Sequence, residues 1–194
     1  MSELGRRAIH LSGTAFPAAY LLDVVDYRGL QLLLGGFLVA VAVAEFVRLV
    51  VGYQHWVYDE LTREYEADNV AGYALFFVGA TLAAVVFRPS VAVPAVLMLS
   101  VGDPISGVLG SAEAGTAKEA GVLAVMFGVC LALALPFATA TFATLPAVAV
   151  AAAGALAATL ADGTTPVVAG YVIDDNFSIP PAAATAMWLV GQLV

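Results

Sequence analysis

Long apolar runs separated by short polar segments occupy most of this chain. A bilayer core about 30 Å thick requires roughly 20 mostly apolar residues per helix, and fewer where a helix packs inside protein. Seven segments meet this requirement, some of them short: residues 8–22, 30–50, 71–87, 90–110, 121–136, 145–160 and 178–194. The pattern therefore predicts an all-α, polytopic membrane helix bundle with about seven transmembrane helices.

Composition favours a single membrane domain over a soluble one. Hydrophobic residues make up 62% of the 194 residues and charged residues only 11%, whereas soluble domains carry about 25% charged residues. The single cysteine, Cys130, lies inside an apolar run, which excludes a disulfide framework and a cysteine metal cluster. We expect residues 1–194 to form one integral-membrane domain.

The charge balance is unusual, because the net charge is −8 and Lys118 is the only lysine. Screening weakens repulsion between carboxylates at high salt, so this composition indicates a high-salt, haloarchaeal cytoplasm. A chain this acidic is not expected to bind nucleic acid. It also lacks a GxxxxGKS phosphate loop, a GxSxG elbow and an HExxH zinc motif, so nucleotide chemistry would need a different scaffold.

The basic residues predict the orientation. Threading seven spans places only Arg28 and Arg88 on one side of the membrane. The other five basic residues lie on the opposite side: Arg6, Arg7, Arg48, Arg63 and Lys118. By the positive-inside rule, the N-terminus of this multi-pass protein of the cell membrane is cytoplasmic. The polar groups around residues 100–111 and 162–176 are then expected on the same cytoplasmic face.

The segment SVGDPISGVLGS places a carboxylate, Asp103, directly before Pro104 in an apolar context. Proline belongs at the first position of a helix with a cap before it, so we expect a broken fourth span with Asp103 at the break. Ser106, Gly107 and Gly110 give the new half-helix a small face. Helix N-termini attract phosphate, and a bridging Mg²⁺ would remove the repulsion from Asp103. The alternative is a simple helix cap near the interface.

A second polar group, YVIDDNFSIPP, contains Asp174, Asp175 and Asn176 before a proline-containing helix start. Oxygen ligands of this kind suit Mg²⁺, which takes one or two carboxylates and leaves other positions to water and phosphate. These residues are equally typical of turns and caps. Asp162, at the end of the sixth span, is a third acid and is interpreted either as a reactive group or as a solvated helix end.

Arg6 and His10 are four residues apart and share a helix face. Guanidinium groups bind phosphate through paired donors, although arginines before a first span are also what the positive-inside rule supplies. His10 is a candidate to bind phosphate or deprotonate a hydroxyl, with a structural hydrogen bond as the alternative. Glu45 and Arg48 are three apart and can pair as a clamp within the bundle.

The order of these motifs resembles that of the CTP-dependent lipid alcohol kinases, the family of dolichol kinase, phytol kinase and the yeast-type diacylglycerol kinase, and is closest to an archaeal-type dolichol kinase. The resemblance covers nearly the whole chain. The matching residues are Arg6, Arg7 and His10; Glu45 and Arg48; Arg63, Glu66 and Gly72; Gly102, Asp103 and Gly110; Asp162; and Asp175, Asn176, Ile179 and Pro180. The loop after GDPISG departs from the family, because Lys118 is its only cation.

The resemblance implies transfer of the terminal phosphate of CTP to a polyprenol or another lipid alcohol by a single catalytic domain with Mg²⁺ as cofactor. It implies that Asp103, Asp175 and Asp174 hold the metal. The implied nucleotide and phosphate contacts are Arg6, Arg7, Lys118, Gly102, Ser106, Gly107, Gly110 and Asn176. The base for the lipid hydroxyl is His10, Asp103 or Asp162. The supporting residues are Glu45, Arg48, Arg63 and Glu66.

Two other functions fit parts of the sequence. A CTP-dependent cytidylyltransferase acting on a lipid phosphate is also expected to be multi-span, Mg²⁺-dependent and rich in aspartates near helix ends. A small ion-coupled transporter would use the broken fourth helix and buried acids as an ion pathway. The transporter is disfavoured because threading places the charged groups on one face, whereas alternating access requires a site near the midplane.

Overall fold

The computed structural model describes residues 10–53, 55–62, 66–110, 118–164, 167–168, 171–172 and 174–194. Within these ranges the chain is all-α apart from a two-residue antiparallel pair, in which Val167 pairs with Val172 and Val168 with Tyr171. The helices are α1 Ala15–Leu21, α2 Tyr27–Phe46, α3 Trp56–Leu61, α4 Gly72–Val86, α5 Pro89–Leu97, α6 Asp103–Leu109, α7 Ala120–Thr139, α8 Thr144–Gly163 and α9 Asp175–Gly191. The predicted fold class is confirmed.

Four helical segments in the described ranges are long and apolar enough to cross a membrane: Tyr27–Val51, Pro89–Leu109, Ala120–Thr139 and Thr144–Gly163. The protein is therefore membrane-embedded, and the predicted number of about seven spans is wrong. Composition does not reveal where a helix ends. The first apolar run is interrupted by a turn and leaves a seven-residue α1, α4 has 15 residues, and α9 has 17 residues that include two prolines and a polar first turn.

Burial distinguishes the central helix of the bundle from the helices that face lipid. In the segment Pro89–Leu109, 72% of the apolar window is buried inside the protein, compared with 17% in Tyr27–Val51. The outer face of α2 exposes large apolar side chains, including Leu32 at 68% and Val39 at 65%. Apolar side chains on such a face are stable in contact with lipid tails. The segment Pro89–Leu109 therefore lies at the centre, and α2 lies at the periphery.

The predicted break at Gly102 and Asp103 is wrong. The described chain contains two π-helical segments, and the second of them, Met98–Gly102, joins α5 to α6 without interrupting the helix. Asp103 keeps helical angles of φ −61° and ψ −46°. Pro104 cannot donate a backbone hydrogen bond, and a π-helical turn changes the hydrogen-bond register, which allows the chain to remain helical across the proline. No side-chain cap forms at this junction, so Asp103 does not act as a helix cap.

A first π segment, Val47–Val51, extends α2 and ends at Gly52, whose φ of 73° is left-handed. Arg48 lies within it and is buried. Single π turns occur often at functional sites, because the extra residue redirects side chains from the regular helical positions. Both π segments of the described chain lie next to residues that the sequence had identified as candidates.

Small residues allow α4, α5, α8 and α9 to pack closely. Alanines with no exposed surface occur in all four helices, including Ala80, Ala92, Ala155 and Ala183. At Gly79 in α4, a Cβ atom would lie 2.6 Å from the carbonyl oxygen of Phe177 and 3.0 Å from that of Asn176. The backbone of α4 therefore lies directly against the first turn of α9, which fixes the position of that turn.

We expect Gly79→Ala to destabilise the protein by about 1–3 kcal/mol, because the added methyl group meets backbone that cannot move aside. The measurement is the free energy of unfolding in mixed micelles, titrated with SDS. Gly36→Ala is the matched control: a Cβ there has no neighbour within 4 Å, and alanine favours a helix over glycine. Equal stability of the two variants would contradict the close packing of α4 and α9.

Candidate functional site

Three carboxylates from three different helices meet at one end of the bundle. Asp103 is the first residue of α6, Asp162 is next to last in α8, and Asp175 is the first residue of α9. One oxygen from each lies within 4.8 Å of the others. We call these three residues the carboxylate cluster. Like charges at this distance repel, so the arrangement favours a bound cation.

The surroundings of the cluster make this repulsion significant. The side chain of Asp162 has no exposed surface, and that of Asp103 is 17% exposed. Burial raises the pKa of Asp175 well above its usual range, and the carboxylates of Asp103 and Asp174 raise it further. A buried carboxylate that stays charged requires a compensating cation.

Lys118 supplies one positive charge to the cluster. Its Nζ lies 2.6 Å from Oδ1 of Asp162 and 3.9 Å from Oδ1 of Asp103. It also donates to Oγ of Ser106 at 3.0 Å, and that hydroxyl donates to Oδ2 of Asp162 at 2.7 Å. When all three carboxylates are ionised, one ammonium leaves an excess of negative charge, and a divalent cation suits this arrangement.

His10 reaches the cluster from the N-terminal side. Its Nδ1 lies 3.0 Å from Oδ2 of Asp103, and its ring packs edge-on against Phe76 with the centroids 5.2 Å apart. The Nε2 atom is buried and has no hydrogen-bond partner among the described residues. In a neutral ring with its proton on Nδ1, facing the carboxylate, the lone pair would be on Nε2. The histidine is thus oriented as an acceptor with its receiving atom unused.

The three polar residues at the start of α9, Asp174, Asp175 and Asn176, make different contacts. Oδ1 of Asp174 accepts hydrogen bonds from the backbone N–H of Asn176 at 2.9 Å and from its Nδ2 at 2.6 Å. Asp174 is therefore the N-cap of α9 and lies outside the carboxylate cluster. Of the two readings that the sequence left open, the structure supports the cap. Asp175 alone of this pair joins the cluster.

Packing accounts for Gly102, Ser106 and Gly110 without a nucleotide. A Cβ on Gly102 would lie 3.0 Å from Sδ of Met126 and 3.2 Å from Sγ of Cys130, so this glycine allows α7 to approach closely. The hydroxyl of Ser106 is fully engaged with Lys118 and Asp162. Gly110 ends α6, where its backbone turns to an extended conformation. Gly107 is half-buried on α6.

A buried ion pair next to the site holds the segment 66–72 in place. Arg48 binds Glu45 through two hydrogen bonds, from Nε at 3.0 Å and from Nη2 at 2.7 Å. Its Nη1 also donates to the carbonyls of Glu66 and Ala67 at 3.0 Å. The carboxylate of Glu45 also accepts hydrogen bonds from the backbone N–H of Ala71 and from the hydroxyl of Tyr73. The predicted clamp between Glu45 and Arg48 is therefore present.

The Glu45–Arg48 ion pair is connected to the carboxylate cluster through Glu66 and Gly72. The carboxylate of Glu66 accepts a hydrogen bond from the backbone N–H of Gly72 at 3.2 Å. A Cβ on Gly72 would lie only 2.9 Å from Nδ2 of Asn176. The ion pair thus fixes the start of α4 against the start of α9. Glu45, Arg48 and Glu66 thus contact the segment that packs against the start of α9 and lie outside the carboxylate cluster.

Three predicted residues, Arg6, Arg7 and Arg63, lie outside the described residues. The sequence did not predict that Asp162 belongs to the carboxylate cluster, because it left open only a catalytic acid or base and a solvated helix end. The second alternative is wrong, since the side chain of Asp162 has no exposed surface. One signal was available: threading had placed Asp162 on the same face as Asp103 and Asp175. Its contacts with Ser106 and Lys118 join residues that are 56 and 44 positions apart, and no local pattern indicates such contacts.

No family model matches the chain, and no curated protein or solved structure shows significant similarity to it. The resemblance to the lipid alcohol kinases therefore remains a prediction from motif order. The geometry is an independent observation: hard oxygen donors, one ammonium and one oriented imidazole lie together at the end of a membrane bundle. These donors fit Mg²⁺, which prefers carboxylates and leaves coordination positions for water and phosphate.

We expect Asp162→Asn and Asp175→Asn each to weaken divalent cation binding at least about tenfold, because each removes a charged oxygen ligand from the cluster. The measurement is a Mn²⁺ titration of the purified protein by electron paramagnetic resonance. Asp23→Asn is the control, since this exposed aspartate follows α1 at the opposite end of the bundle and asparagine tolerates its φ of 55°. Unchanged Mn²⁺ binding in both cluster variants would exclude the metal site.

Proposed function

We propose that the protein is a membrane kinase that transfers the terminal phosphate of CTP to a polyprenol such as dolichol, giving polyprenyl phosphate and CDP. The observation that carries this proposal is the meeting of the carboxylate cluster, Lys118 and His10 at one end of a membrane-embedded bundle. Phosphoryl transfer requires positioning and neutralisation of phosphate charge more than covalent chemistry by the protein. The site offers groups for both tasks.

The carboxylate cluster would hold Mg²⁺, which neutralises charge on the phosphates during transfer. Lys118 provides a compact positive charge for a phosphate oxygen. The motif resemblance adds Arg6 and Arg7 as further phosphate contacts. Gly107, with no side chain, leaves room on α6 for the nucleotide or for the first part of the lipid chain.

His10 is the best of the three candidate bases for the lipid hydroxyl. Asp103 and Asp162 both belong to the carboxylate cluster, and Asp162 also binds Lys118. His10 has an unpartnered Nε2, and its Nδ1 is held by Asp103. In the proposed reaction Nε2 takes the proton of the hydroxyl while the oxygen attacks the terminal phosphorus and CDP leaves. The edge contact with Phe76 keeps the ring in this orientation.

The choice of CTP and of a polyprenol comes from the resemblance. The proposed placement of the active site on the cytoplasmic face of the cell membrane comes from the distribution of basic residues. The embedded helices support a lipid substrate, because a polyprenol is dissolved in the same bilayer. A transporter is less well supported, since Asp162 and Asp175 lie at helix ends, where a one-sided site is expected. A cytidylyltransferase would use the same metal site. The experiment with labelled CTP described below distinguishes it from a kinase.

The reaction is tested with purified protein, Mg²⁺, a polyprenol, and CTP labelled either on its terminal phosphate or on its cytosine. We expect the terminal label, and not the cytosine label, to enter the lipid. Asp103→Asn should abolish transfer, because Asp103 serves both the cluster and His10, whereas Asp23→Asn should retain it. Cytosine label in the lipid would indicate a cytidylyltransferase. The absence of nucleotide-dependent label in the wild-type protein would contradict both enzymes and leave the transporter.

We expect His10→Ala to lower kcat by about 10²–10⁴-fold, the usual contribution of a general base. Mn²⁺ binding should be retained, because His10 is outside the carboxylate cluster. The chain has two histidines, so His55→Ala is the matched control and should leave kcat unchanged. Added imidazole should restore part of the rate of His10→Ala. A kcat within threefold of wild type would exclude His10 as the base.

A further inference from the structure

Lys118 lies where it competes with a metal ion for the same ligands. Its Nζ is within direct contact distance of Asp162 and close to Asp103, two of the three members of the carboxylate cluster. In the described part of the chain, it is the only lysine or arginine that pairs with these carboxylates. Among the described residues, the ammonium of Lys118 therefore supplies lysine or arginine charge to the cluster in the metal-free protein.

A lysine and a divalent cation cannot both keep these contacts without strong repulsion. The carboxylate oxygens are few, Mg²⁺ requires them at about 2.0–2.1 Å, and like charges in a poorly solvated site repel strongly. Lysine is suited to leave, because its charge is a single point on a flexible four-carbon stem. Its side chain is 16% exposed, so a route toward solvent exists.

Ser106 keeps one hydrogen bond to the buried carboxylate of Asp162 when the ammonium of Lys118 leaves. Its hydroxyl donates to Oδ2 of Asp162 while accepting from Lys118, so one hydrogen bond to the buried carboxylate remains when the ammonium departs. The vacated oxygen, Oδ1, then becomes a metal ligand. Ser106 is itself completely buried and stays in place in both states.

We propose that Lys118 is an exchangeable counter-ion: it occupies the carboxylate cluster in the metal-free protein, and metal binding releases its ammonium to bind a phosphate of the nucleotide. The identity of that phosphate rests on the proposed function, whereas the competition with metal does not. Metal alone then binds weakly, because it must displace the lysine. Metal and nucleotide bind cooperatively, since the nucleotide phosphate holds the displaced ammonium, and by linkage each tightens the binding of the other.

The first test measures Mn²⁺ affinity in nucleotide-free full-length protein in nanodiscs. Lys118→Met removes the competing charge and keeps the chain length, so its Mn²⁺ Kd should be at least about tenfold lower than that of the wild type. Lys118→Arg keeps the charge and can bind a carboxylate through two donors, so its Kd should be no lower than that of the wild type. Equal or weaker Mn²⁺ binding by a folded Lys118→Met would overturn the proposal.

A second measurement needs no variant, because Lys118 is the only lysine. Its labelling rate by an amine-reactive reagent, read by mass spectrometry, should rise severalfold when Mg²⁺ releases it from the cluster. The rate should fall again when a non-hydrolysable CTP analogue is added with Mg²⁺. The N-terminal amine is the internal reference. A labelling rate that Mg²⁺ leaves unchanged or lowers would overturn the exchange.

The coupling is tested by titrating Mn²⁺ with and without the CTP analogue. The analogue should lower the Mn²⁺ Kd more in the wild type than in Lys118→Met, because the variant has no lysine to be displaced. If Lys118 exchanges with metal but no phosphate moves from CTP to polyprenol, the proposed function fails and the exchange stands. If phosphate moves while the Mn²⁺ Kd does not depend on Lys118, the exchange fails and the function stands.

Discussion

Repulsion among Asp103, Asp162 and Asp175 is the constraint on which the arrangement of this bundle depends. Three helices direct carboxylates to one point, which has a high free-energy cost next to an apolar core unless positive charge is present. Lys118 and the hydroxyl of Ser106 offset part of this cost. Among the described residues, the packing of α6, α8 and α9 thus brings together three carboxylates that could hold a metal ion, and the proposed chemistry rests on this arrangement.

The geometry of the cluster depends on the hydrogen-bond register of the central helix. Pro104 has no backbone N–H to donate to the preceding turn, so the helix must accommodate it, as α7 accommodates Pro136. The second π segment keeps the chain helical and brings Gly102 against Met126 and Cys130, so that α7 packs closely beside the site. The sequence predicts a break here, whereas the structure has a π turn. The choice between the two depends on how the helix packs against α7, and local residue preferences give no information about that packing.

Much of the site could nevertheless be predicted. The polar motifs lie at the ends of apolar segments, so threading predicts that Asp103, Asp162 and Asp175 share one face of the membrane, although it does not predict that all three form one cluster. The capping role of Asp174 and the contacts of Lys118 could not be predicted, because both depend on side-chain geometry at atomic distances.

The length of α2 with its π extension sets where the clamp lies relative to the bilayer. Twenty-five residues span roughly 37 Å at 1.5 Å per residue, which exceeds a hydrocarbon core of about 30 Å. The mismatch is relieved by tilt or by extending the last turns, with Glu45 and Arg48, into the headgroup layer. Because this pair fixes the start of α4 against Asn176, a change in bilayer thickness that tilts α2 would act on the same contacts that position the carboxylate cluster.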